Sequence, residues 1–178
     1  MFSFKLLLAA TAAGALTAGA AVGALQPGET TPVTAEFHAA LTAQQQHQCG
    51  PSLSVFRLRF DGTFTSADPR LAGDVVARVR SVVDTTNQYG STSGIVLIRD
   101  PATGRVKFVG RVVGVLEPGG GIEGFLDGRI TGPSSGHLLA NFNARQNATT
   151  GAITGELGKD TQTGAAQDPA VVTSGCGG

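Results

Sequence analysis

The chain has 178 residues, with 13 Lys+Arg against 13 Asp+Glu and a formal net charge of zero. Balanced, dispersed charge argues against a surface built to neutralise a phosphate backbone. The 26 glycines follow no three-residue period, which excludes a collagen-like chain.

Met1 to Ala24 reads MFSFKLLLAATAAGALTAGAAVGA. The free amine and Lys5 form a short positive region, and Leu6 to Leu16 supplies an apolar stretch. Ala18-Gly19-Ala20 and Val22-Gly23-Ala24 then offer small-residue cleavage sites. This is the pattern of a secretory signal. A membrane anchor is the competing reading, but Pro27 follows and no basic stop-transfer cluster does. Cleavage after Ala24 leaves residues 25–178, with Lys5 lost, so 12 basic side chains face 13 acidic ones. That length suits one domain, and the remainder holds no other segment apolar enough to span a bilayer.

Residues 25–48 read as a polar leader. Within it, Thr34 to Gln48 has Phe37, Ala40 and Leu41 at helical spacing, so a short surface helix competes with plain linker. The domain is expected to occupy residues 49–178, ending in a Gly-rich tail. Cys49 and Cys176 bracket it, and in an oxidising compartment two such thiols are expected to form a disulfide.

Phe56-Arg57-Leu58-Arg59-Phe60 alternates as a strand with one apolar face. Asp74 to Asp84 reads as a strand from its five valines, although Leu71, Val75, Val79 and Val82 also allow a helix. Further strands follow at Ser93–Arg99, Arg105–Glu117, Ile122–Ile130, His137–Asn147 and Ala152–Leu157, separated by Gly- and Pro-containing turns. Seven short strands joined in this way predict an all-β antiparallel meander, closed or nearly closed into a barrel, with a β-sandwich as the alternative. Gly110, Gly114, Gly124 and Gly128 share the inward parity of their strands, where they would permit tight curvature or close backbone approach, or else widen a cavity.

The sequence contains no HExxH or Walker motif. The weak catalytic candidates are Glu123, Asp127 and His137, which fall on the polar parity of their strands. That placement reads as a solvated outer face, unless the two faces are inverted and these groups line a cavity. No cofactor and no metal site are expected. Arg57 with Arg59 and Arg78 with Arg80 form only two small basic pairs, without the aromatics a nucleic-acid platform needs. Asn147-Ala148-Thr149 matches a glycosylation acceptor on a turn.

Three functions follow as expectations. The first is an exported, non-catalytic barrel that binds a small apolar ligand or an extracellular protein. The second is a cofactor-independent isomerase or cyclase working inside the barrel, an architecture that resembles the small secreted cyclase and dirigent barrels of plants in fold alone. The third is an envelope or extracellular assembly or inhibitor module. Intact-mass measurement of the exported protein is expected to give residues 25–178, and a mass retaining Met1–Ala24 overturns the signal assignment.

Overall fold

The computed structural model describes residues 30–158 and 170–174. The expected signal segment and Cys176 lie outside the described residues. Among the described residues there are ten strands: β1 (Thr30–Val33), β2 (Ala35–Gln48), β3 (Leu53–Ser66), β4 (Gly73–Asp84), β5 (Tyr89–Arg99), β6 (Val106–Leu116), β7 (Gly121–Ile130), β8 (Gly136–Gln146), β9 (Ile153–Leu157) and β10 (Ala170–Ser174). Every pairing is antiparallel. The strands from β2 to β9 follow one another around a barrel that closes where β9 pairs with both β8 and β2. Closure, rather than a two-sheet sandwich, leaves no full-length strand edge open. No helix among the described residues is long and apolar enough to cross a membrane.

The seam is composite. β10 pairs with β8 below the stretch that β9 occupies, and β1 pairs with β10 immediately before β2 begins. Thus β9 and β10 fill one slot of the barrel, while β1 and β2 act as one strand interrupted at Thr34. Following the register once around, Ala40 leads through Asp61, Val76, Leu97, Val109, Arg129, His137 and Thr173 to Thr30. The path returns ten residues down its own strand, from 40 to 30. In an eight-stranded barrel that stagger implies a strand tilt of about 40° and an interior wide enough for side chains or one small ligand.

β2 takes the place of the short helix considered for Thr34 to Gln48, and with β1 it makes residues 30–48 of the expected leader part of the sheet. Ala35, Phe37, Ala39 and Leu41 alternate inward, but a β-bulge between Leu41 and Ala43 then shifts the period by one residue. Beyond it Gln44 and Gln46 stand opposite Leu58 and Phe56 on the inward face. Thr42, the extra residue, donates its hydroxyl to the Asp61 carboxylate. Asp74 to Asp84 is strand, within β4, as its valines indicate. Cys49 is exposed in the turn after β2, on the upper rim. β10 ends beside Gly136 on the lower rim, so the described part of the tail does not return toward Cys49.

Turns on both rims use one device. Asp84, Asp100 and Asn147 each accept two backbone N–H groups through Oδ1, at 2.9 and 3.2 Å, 3.1 and 2.8 Å, and 2.9 and 3.0 Å. The lower rim is closed by the β3–β4 connection. Leu71 from this loop is fully buried beneath Ile98, Phe108, Ile130 and Leu138, each at most 1% exposed. Lys107 holds the loop by donating to the Ala72 carbonyl at 2.7 Å and to that of Pro69 at 2.5 Å. Arg70 pairs with Asp68 at 2.6 Å in the same loop.

Two expectations follow. Leu71→Ala should lower unfolding free energy by about 2–5 kcal/mol in urea titrations, whereas Leu53→Ala, at an exposed position, should change it little. Burial pushes the Asp68 carboxyl up, but the Arg70 side chain and N–H outweigh it and hold the group below the usual range. Asp84 and Asp100 are also held low, chiefly by the Asn87 amide and the Thr103 N–H respectively. Carboxyls depressed in the folded state stabilise it above their unfolded values, and that gain disappears as pH falls through the folded ones. The urea midpoint should therefore fall below about pH 4, less steeply in Asp68→Asn.

Candidate ligand-binding site

The interior divides into two halves because its inward side chains differ in volume. Toward the lower rim Phe108, Ile98, Ile130 and Leu138 fill the cross-section around Leu71. Toward the upper rim several inward positions are small: Ala77 and Ser81 on β4 and Thr92 on β5. The result is a cavity of about 630 Å³, walled by Phe37, Phe56, Leu58, Val79, Leu116 and Phe142 among others. Phe37 stacks on Phe64 with centroids 6.3 Å apart and meets Phe142 edge-on at 6.4 Å, forming an aromatic side to this space.

The strand glycines do not widen the cavity. Gly110 pairs with Gly128, and Gly114 with Gly124, across β6 and β7. A methyl at Gly128 would stand 2.5 Å from the Phe108 ring, and one at Gly124 would stand 2.9 Å from that of Phe142. Each glycine pair is a seat for an aromatic ring, and none of the four lines the void. Their role is close approach, the first of the two uses the sequence allowed.

Polar groups enter the lining in two places. On the inner wall, Ser81 on β4 and Thr92 on β5 are cross-strand partners, and the Ser81 hydroxyl donates to that of Thr92 at 2.9 Å. Whichever hydroxyl donates, the other of the pair keeps a proton to offer a ligand. At the upper rim the lining passes to Gln44, Thr85, Gln88, Glu117, Gln146 and the Asn147–Gly151 turn. The rim is itself braced, since the Gln146 N–H donates to the Gly120 carbonyl at 2.8 Å. Among the lining residues Glu117 carries the one ionisable side chain, and no Lys, Arg or His is present.

Glu123, Asp127 and His137 take no part in this cavity. All three project from the outer wall of β7 and β8, where His137 Nε2 contacts the Asp127 carboxylate. Their side chains stay well exposed, at 42% for His137 and 57% for Asp127. The polar parity of β7 and β8 is therefore the outer face, and these residues lie on the surface. A second, outer hollow of about 580 Å³ crosses β2, β9, β8 and β7, with Glu36, Glu156, Asn143 and Glu123 aligned across it by register. No group of three or more His, Cys, Asp or Glu among the described residues is placed to hold a metal ion.

The two arginine pairs seen in the sequence meet on one surface. Arg57 stands opposite Arg80, and Arg59 opposite Arg78, on the outside of β3 and β4. Asp61 answers part of that charge through a 2.8 Å bridge to Arg59. Asn147 lies exposed in the β8–β9 turn, beside the cavity mouth. What sequence reasoning missed is the set of lining residues contributed by β2, because the bulge at Thr42 hides their alternation. Comparison of the chain with protein-family models, curated proteins and solved structures finds no match.

Proposed function

We propose that the exported protein is a non-catalytic carrier or binding protein for a small, uncharged, predominantly apolar molecule. The observation that carries this reading is the cavity itself, which is apolar in its walls, closed below by the Leu71 plug and open above. Its volume falls in the range of small-molecule sites, and its few polar groups lie where they would orient a ligand rather than dissolve it. The lining also selects by charge. A carboxylate ligand would find no cation and would meet Glu117 at the mouth, while a carbonyl or hydroxyl could accept from the Ser81–Thr92 pair.

The cyclase reading would use the same cavity. General acid–base work needs a proton donor and an acceptor both within reach of a bound substrate. Here the inner wall offers two hydroxyls, and the carboxylate of Glu117 stands at the rim. Binding is therefore the better supported of the two.

The neutral fluorophore N-phenyl-1-naphthylamine should bind at one saturable site per chain, with a Kd in the micromolar range or below. The chain contains no Trp, so Leu58→Trp places a single reporter in the wall. Its emission should transfer to the bound probe. A long-chain carboxylate probe should bind the native protein roughly five- to tenfold more weakly than Glu117→Gln, with the neutral probe unaffected. Absence of saturable binding by the neutral probe overturns the proposal.

A further inference from the structure

The outer wall of β5 to β8 carries apolar side chains that its strands have no means of covering. Val113 on β6 and Phe125 on β7 are direct cross-strand partners, at 58% and 60% exposed. Ile95 on β5 and Leu139 on β8 flank them at 53% and 51%, and Val109 and Val115 extend the patch along β6. Single exposed apolar residues need no explanation, but six gathered on one face of four adjacent strands form a contiguous patch of the kind that marks a contact surface.

The charges around this patch identify the occupant. Across the four strands one row reads Ile95, Arg111, Asp127, Leu139: apolar, base, acid, apolar. The adjacent row reads Ser93, Val113, Phe125, Asn141: polar, apolar, apolar, polar. Consider a two-fold axis lying in the contact plane, parallel to the strands and midway between β6 and β7. It sets each residue opposite its mirror position in the row of a second copy. Arg111 then faces Asp127 of that copy, Asp127 faces its Arg111, Val113 faces its Phe125, and Ile95 faces its Leu139. The polar ends, Ser93 and Asn141, also meet.

An axis along the rows instead would bring Glu123 against a second Asp127, two like charges. The two central rows are thus complementary to themselves under one symmetry operator, which is the requirement of an isologous interface. Val109 and Val115 in the outer rows would meet Arg129 and Glu123, so the contact is confined to the two central rows. Arg111 forms no ion pair among the described residues, so its charge is available to such a partner. We propose that this face is a homodimer interface, with two barrels packed wall to wall and strands aligned across the contact.

The test is sedimentation equilibrium of the full chain, with non-reducing electrophoresis beside it to exclude a disulfide between copies. The expected result is a mass twice that of the chain. Phe125→Glu should yield a folded monomer by circular dichroism. Arg111→Asp and Asp127→Arg should each weaken association by at least about tenfold, and the two combined should restore it, because the opposed charges are again unlike. A wild-type monomer at about 100 μM overturns the proposal. So does a dimer indifferent to Phe125→Glu, or a double swap that fails to rescue the single ones.

Discussion

Closure of the sheet with a ten-residue stagger is the constraint on which the rest of the molecule depends. It sets a barrel radius that the inward side chains must either fill or leave empty. It also decides where the ends of β2 lie. β9 covers only Ala35 to Ala39, so the upper part of β2 rises beyond its second neighbour as half of a ribbon with β3. The slot below β9 is taken by β10, and the wall stays continuous past Leu157. A seam made of two pieces thus closes the barrel low down and leaves it open above.

Filling follows from closure. Large side chains concentrate at the lower rim, where Leu71 is held by a loop that Lys107 and the Asp68–Arg70 pair brace. Small ones concentrate above, and the cavity occupies the volume they lack. The glycine pairs belong to the first task. With no Cβ they let the β6 and β7 backbones take the Phe108 and Phe142 rings flat against the wall. The paired glycines of β6 and β7 therefore accompany tight packing of rings, while the void comes from Ala, Ser and Thr positions on β4 and β5.

Much of the architecture could be read from residue order. Phe56-Arg57-Leu58-Arg59-Phe60 and the β6 run expose their period of two without interruption, and the turns announce themselves through Asp, Asn, Pro and Gly. The outward parity of Glu123, Asp127 and His137 was legible for the same reason. β2 was not. Its alternation lasts from Ala35 to Leu41, then slips at Thr42, and a slip of one residue exchanges the two faces. With Phe37, Ala40 and Leu41 spaced as on a helix, local pattern favoured the wrong element. What holds the segment extended is pairing along its length with β3 and over its first residues with β9, contacts far away in sequence.

The sequence by itself determined the all-β class, the hairpin order and which side of most strands is apolar, because turn chemistry and side-chain alternation are local properties. Only the tertiary structure decided between barrel and sandwich, since that depends on where the last strand finds a partner. It alone placed Ser81 against Thr92 inside a cavity and drew Arg57, Arg59, Arg78 and Arg80 into one block outside. It also aligned Ile95, Arg111, Asp127 and Leu139 in a single row. Those arrangements are products of register between strands, and register is fixed by the whole closed sheet rather than by any one segment.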